Sequence, residues 1–189
     1  MIKSCLRIVF ALGIIVSGAR AGFAEDTIPF VPSPMHVVDR MLQLAELKSG
    51  DILYDVGSGD RRIVIEAAKR FGVKGVGIDL NPQLVAKARE SAAREGISHL
   101  IEFRAQDGLT VDISEATMVT LYMFKWFNNA LRPKLQQLKP GARVIAHDFD
   151  IDEWQPTRIE YVKQPEDSAD YAESRTLYIW IVGDKAPMP

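Results

Sequence analysis

Asp55-Val56-Gly57-Ser58-Gly59, with a further acid, Asp79, 24 positions after Asp55, is the part of this chain whose residue types and spacing could hold a charged small molecule. Two glycines one residue apart let the backbone approach a ligand that any Cβ would hold off, and some turn positions of this kind favour positive φ. N–H groups left open at the start of a following helix suit an anionic group such as a carboxylate. An acid at the tip of a second strand is placed to accept both hydroxyls of a ribose. A dinucleotide-binding turn, G-x-G-x-x-G, would need glycine at position 62, where Arg62 stands, and would leave Asp55 without a role.

The elements that must position these residues are legible as a periodic pattern. Ile52-Leu53-Tyr54 runs as a strand into Asp55, and Ile63, Val64, Ala67, Ala68 and Phe71 then recur at helical spacing. Gly75-Val76-Gly77-Ile78-Asp79 is a second strand, so strand, glycine turn, helix and strand open a doubly wound α/β sheet. Asn81-Pro82 caps and starts a helix through Arg94, stopped at Gly96, with Leu84, Val85, Ala88 and Ala92 as its apolar stripe. Residues 99–103 form the third strand, 116–124 the fourth, ending in Tyr122-Met123-Phe124, and 142–146 the fifth, which emits His147-Asp148-Phe149-Asp150. The helix over 125–138 contains Pro133 and is expected to kink or break there. Strands at 157–162 and 176–182 form the antiparallel end of the sheet. Upstream, Ser33 and Pro34 serve as cap and first residue of a helix carrying Met35, Val38, Leu42 and Ala45.

With those residues in place, the chain resembles the class I, seven-β-strand S-adenosylmethionine (AdoMet) methyltransferases, whose first motif reads (D/E)-x-G-x-G. Phe30-Val31-Pro32-Ser33-Pro34 is similar to the segment that precedes the first helix in small bacterial relatives of the mitochondrial protein-lysine methyltransferases. In that setting the segment lies near the cofactor and helps close the site. The resemblance runs from about residue 30 to 182, including Leu138-Lys139-Pro140-Gly141 and the later Trp154-Gln155-Pro156. It implies a doubly wound, mostly parallel, seven-stranded Rossmann-like sheet with helices on both faces. It also implies AdoMet held by Asp55, Gly57, Ser58, Gly59, Asp79, Leu80 and Pro32, with Asp107 toward the adenine amine; a turn-forming Asp107-Gly108 pair without a ligand is the alternative. One departure stands out. The family motif continues Gly-Ser-Gly-Asp-Gly-Arg, whereas this chain reads Asp60-Arg61-Arg62. Arg61 either pairs with the cofactor carboxylate or crowds the pocket, and at positive φ it adds strain of order 1 kcal/mol.

The same resemblance implies methylation of a protein lysine by direct displacement. The amine must arrive neutral, against a reference pKa of about 10.4, so the site needs a group to orient or receive its protons. Asp148, Tyr122 and His147 are the catalytic candidates, with Asp150 beside them; Asp148 is the first choice for contacting the acceptor, and His147 is catalytic or structural. Trp154 walls the pocket or covers the core. A small-molecule methyltransferase on the same scaffold, and a non-catalytic AdoMet-binding or scaffold protein, remain the alternatives.

Composition sets the frame. With 47% hydrophobic and 25% charged residues the chain can build a core without covalent staples, and a formal net charge of −2 gives no general attraction to nucleic acid. The three histidines, His36, His99 and His147, show no metal-ligand spacing, and the single cysteine, Cys5, precludes a disulfide within one chain, so no metal or disulfide is expected. Residues 1–24 read as a targeting segment: Lys3 and Arg7 are basic, 6–16 is a short apolar run, and Ala19/Ala21 or Gly22/Ala24 fit a cleavage site. The expectation is a cleaved export signal with a periplasmic product, or an uncleaved anchor that associates the protein with a membrane and faces the cytosol. Residues 25–189 then form one AdoMet-dependent methyltransferase domain.

Overall fold

Successive residues of β1 (Ile52–Val56) enter two different cores, and the architecture follows from that alternation. Leu53 joins one core while Tyr54 and Val56 join the other. The computed structural model describes residues 31–165 and 174–184. In it β1 is flanked by β2 (Lys74–Asp79) and β4 (Met118–Leu121) in a seven-stranded sheet of order β3-β2-β1-β4-β5-β7-β6. β3 (Ile101–Ala105) and β5 (Arg143–His147) extend the parallel part; β7 (Ser174–Ile181) pairs antiparallel with both β5 and β6 (Arg158–Lys163). The switch point lies between β1 and β4, where the strand order reverses, so the crevice at the carboxyl ends of β1, β2 and β4 is the expected ligand site.

The first core packs α1 (Met35–Leu44), α2 (Arg62–Phe71) and α3 (Pro82–Arg94) against Leu53, Phe103, Met118 and Ile145. The second packs α4 (Lys125–Gln136) and the segment carrying Val111 and Ile113 against Val56, Ile78, Leu121, Ala146 and Trp180. Helices thus cover both faces, as expected. Gly75 and Gly77 in β2 have packing reasons: a Cβ would lie 2.5 Å from Val64 Cγ1 at Gly75 and 2.5 Å from Phe103 Cδ1 at Gly77.

Several local expectations are corrected. Ser33 makes no capping bond and Met35 is exposed, because the buried stripe of α1 is Val37, Val38, Met41 and Leu42. α4 is not broken at Pro133 but runs on to Gln136, the proline withholding a bond from the Asn129 carbonyl. β3 begins two residues later than its apolar run, since His99 and Leu100 belong to the preceding turn. β4 ends at Leu121, which leaves Tyr122-Met123-Phe124 as a loop between the sheet and α4. Asn81 behaves as read, its Oδ1 accepting from the Gln83 N–H at 2.9 Å.

At the amino end of the sheet Asp51 is buried and fully engaged. Its Oδ1 accepts from Arg143 Nη2 at 2.6 Å and Thr117 Oγ1 at 2.7 Å, and its Oδ2 from the Lys48 N–H at 2.9 Å. Burial works against its charge, but Arg143, the Lys48 amide and Thr117 together hold its pKa below the ordinary value. The targeting segment expected over residues 1–24 lies outside the described residues. Among the described residues no helix is long and apolar enough to cross a membrane.

Candidate functional site

At the carboxyl edge of β1, β2 and β4 lies a cavity of about 600 Å³, within the range of sites that take a small ligand or cofactor. Its floor is the turn after β1. Gly57 sits at φ +85°, a conformation that favours glycine, and a Cβ there would displace the flexible Met123 side chain. The turn is not the open N–H cradle that its glycines suggest. The Gly57 and Ser58 N–H groups both donate to the Ile78 carbonyl at 2.8 Å, and the Gly59 N–H donates to Asp79 Oδ2 at 2.9 Å. Here glycine serves close approach, and the donors are spent on fixing the turn to β2.

Asp79 joins the two. Its Oδ1 accepts from the Asn81 N–H at 2.8 Å while Oδ2 accepts from Gly59, and each oxygen keeps a second lone pair for a hydroxyl. Asp55, buried at 3% exposure, receives the Thr120 hydroxyl at 2.6 Å and, among the described residues, no cation. Burial, helped by the charges of Asp60 and Asp79 and opposed by Thr120, raises its pKa to about 7. Asp55, Asp60, Asp79 and Asp107 all line the cavity. Among the described residues they face a single lining cation, Arg62, whose Nε is already held by Asp60 at 2.8 and 2.9 Å. This is a negative cavity that suits a ligand bearing positive charge and ribose hydroxyls, and AdoMet, with its sulfonium and ammonium, fits that donor and charge set.

The residues expected at the cofactor, Pro32, Asp55, Gly57, Ser58, Gly59, Asp79, Leu80 and Asp107, all line this one cavity. Asp107 is also the turn-former of the alternative reading, its Oδ1 accepting from the Leu109 N–H at 2.9 Å. Arg61 is not among the walls. It stands at φ +69° before α2, so the strain expected of it is present while neither the pairing nor the crowding account is supported by its position.

The catalytic candidates separate. Tyr122 lines the cavity; burial, then the charge of Asp148, raises its pKa above the ordinary phenol value. His147 lies behind it, fully buried, with ring centroids 3.9 Å apart. Its Nδ1 is 2.9 Å from Ser33 Oγ. Asp148 is not a wall: its Oδ2 accepts from Arg175 Nη1 at 2.8 Å and its Oδ1 from the Thr176 N–H at 3.0 Å. Asp150 pairs with Lys125 at 2.9 Å. Trp154 covers the core, its ring 5.5 Å from that of Trp180. Sequence reasoning misses Trp126 and Arg62 as walls, while Met123, read at the end of the fourth strand, is one of them. In the sequence Arg62 stands out only as an absent glycine, although it occupies the arginine position of the family motif. No cluster of three or more metal-ligating side chains occurs among the described residues.

The family model for the ANTKMT methyltransferase domain matches residues 55–158. The protein-lysine N-methyltransferase of Saccharolobus islandicus (strain REY15A) is 38% identical over 159 residues, covering 83% of this chain and 95% of that protein. The adenine nucleotide translocase lysine N-methyltransferase of Mus musculus is 34% identical over 134 residues, covering 70% of this chain but only 58% of that protein. The crystal structure of an RNA methyltransferase from Salinibacter ruber in complex with S-adenosyl-L-homocysteine is 47% identical with a TM-score of 0.72, covering 84% of this chain and 98% of that one.

Proposed function

The chain belongs to the ANTKMT methyltransferase family of S-adenosylmethionine-dependent enzymes, and from that premise we propose that it methylates the side-chain amine of a protein lysine. The observation that carries this reading is the match to the Saccharolobus islandicus protein-lysine N-methyltransferase over nearly all of that protein's length. Geometry supports it: Tyr122 and Trp126 give the cavity an aromatic wall beyond the acidic floor, a surface suited to the aliphatic stem of a lysine side chain.

Asp79 would take the ribose hydroxyls, Asp55 and the acids around it the positive end, and Asp107 the adenine amine. AdoMet, when bound, would supply an electrophilic methyl: the neutral lysine nitrogen would form the N–C bond as the C–S bond breaks, the electron pair would stay on sulfur, and the methylated ammonium would lose its proton after release to solvent. The protein's part is to align the amine and exclude water. Tyr122, kept protonated by its raised pKa, can hydrogen-bond the amine without taking its proton. Asp148, already committed to Arg175 and Thr176, is better suited to setting the field behind Tyr122 than to touching the acceptor.

The test is transfer of labelled methyl from AdoMet to the proteins and, separately, the RNA of a cell extract, followed by mass spectrometry of the modified product. Label on lysine Nζ is expected. Label in RNA, the acceptor class named for the Salinibacter ruber relative, would overturn the lysine reading while leaving the cofactor chemistry intact. The acidic balance of the chain, pI about 5.9, offers little attraction to a phosphate backbone. For location, N-terminal sequencing of protein from fractionated cells separates cleaved export from an anchor that leaves the domain with cytosolic AdoMet.

A further inference from the structure

Ser33 is gripped from two sides at the rim of the cavity. Its carbonyl accepts from Arg62 Nη1 at 2.6 Å, and its hydroxyl lies 2.9 Å from His147 Nδ1. Arg62 is anchored in turn by Asp60, in the glycine turn, and His147 supports the ring of Tyr122. Val31, Pro32 and Ser33 line the cavity, Val31 remaining 57% exposed while Ser33 is 4% exposed. Ser33 is therefore a buried point at which the Val31–Ser33 segment is fastened to both α2 and the sheet. Its two fasteners reach it from different places: Arg62 from the start of α2, His147 from the end of β5.

We propose that His147 and Arg62 are positioning residues that clasp the Val31–Ser33 strap across the cofactor cavity, and that this clasp sets how long the cofactor and its product stay bound. The chemistry of the imidazole fits the task. Asp148 Oδ2 faces Nε2 at 3.5 Å and favours the proton there, which leaves Nδ1 to accept from the Ser33 hydroxyl. Burial, reinforced by Arg175 and His36 and opposed by Asp148, lowers the pKa of His147 to about 4, so the ring is neutral at working pH and the acceptor is present. The stack on Tyr122 means that the same ring supports the wall the methyl acceptor would meet. His147 acts through its neighbours and is itself absent from the cavity wall.

This inference rests on the cavity being the cofactor site. The experiment measures the dissociation rate of S-adenosylhomocysteine from the full chain by stopped flow, together with kcat and the KM for AdoMet. Ser33→Ala removes the hydroxyl; His147→Phe keeps a ring beneath Tyr122 but removes the acceptor. Each should raise the dissociation rate about fivefold, the double variant should be no faster than either single one, and Ser33→Thr should retain the wild-type rate. Arg62→Ala should raise it further, by about tenfold or more, since a charged donor is lost. Rates within about twofold of wild type in both Ser33→Ala and His147→Phe would overturn the clasp, as would strictly multiplicative effects. A fall in kcat of about a hundredfold for His147→Phe at an unchanged dissociation rate would make His147 a catalytic residue instead. Asp79→Ala separates the two levels: if it leaves the affinity for S-adenosylhomocysteine unchanged, the cofactor site is wrong and the clasp falls with it, whereas a loss there with no effect at Ser33 removes the clasp alone.

Discussion

Asp51, the residue before β1, and Asp55, near its carboxyl end, are both buried, and their surroundings treat them in opposite ways. Asp51 has an arginine, a hydroxyl and a backbone amide, and its charge is favoured. Asp55 has one hydroxyl and two neighbouring acids, and its charge is opposed. The amino edge of the sheet is thus complete in itself. At the carboxyl edge the described residues hold a carboxylate out of water without a cation, a state that a positively charged ligand relieves. Stability and binding are assigned to different ends of one strand.

Asp51→Ala should give the largest effect, because it takes the buried carboxylate partner from Arg143, which is 15% exposed and is left with the Ala45 and Glu46 carbonyls. A loss of about 3–5 kcal/mol in urea denaturation is expected, and a loss under about 1 kcal/mol would erase the contrast. Asp79→Ala comes next. It should weaken AdoMet binding by about 1.5–3 kcal/mol in calorimetry, roughly ten- to a hundredfold, with a smaller effect on folding. A larger loss of stability than of affinity would make the carboxyl edge resemble the amino edge.

Asp55→Asn sharpens the comparison through pH. The pKa of Asp55 is raised on folding, so the folded protein holds a proton that the unfolded chain, titrating near about 3.9, has released. Its contribution to stability is therefore full below about pH 4 and is lost as pH rises to about 7. Asp51 has the opposite sign: its contribution is present above the unfolded value and is lost as pH falls through its lowered pKa. Relative to Asp55→Asn, the ligand-free wild type should lose stability between about pH 4 and 7. At about pH 8 the variant should be more stable by about 1–2 kcal/mol while binding AdoMet less tightly. Parallel stability curves would show that Asp55 is solvated or paired after all.

Arg61→Gly should have the smallest effect. Relieving a left-handed arginine is worth about 1 kcal/mol, partly offset by the freer unfolded chain of glycine. Its affinity for AdoMet should be unchanged, since the side chain is not a cavity wall. A change in affinity in either direction would bring Arg61 back into the site.

What could be read from the sequence was what depends on near neighbours. The glycine turn after β1 and the Asn81 cap follow local rules and form where the sequence places them, and Asp55 and Asp79 reach the same cavity. Ser33 shows the limit. A serine before proline at a helix start reads as a cap, yet its hydroxyl is taken by His147, 114 positions away, and no local pattern encodes that partner. Asp148 shows the same limit: its place after β5 suggests the acceptor site, but Arg175 arrives from a strand that pairs with β5 only in the folded sheet. The turn amides show a third kind. Glycine spacing reveals where the backbone comes close, and cannot reveal that Ile78 and Asp79 already occupy its donors.

The placement of β7 between β5 and β6 also bears on how the chain is made. During synthesis β5 leaves the ribosome before either of its later neighbours, and Val144, Ile145 and Ala146, all buried in the finished fold, then sit on an open edge. β6 emerges next but pairs only with β7, so it cannot cover that edge. β7 must dock between β5 and β6, so that edge stays uncovered from the release of His147 until Ile181 has emerged, an interval in which exposed apolar edge favours misassociation.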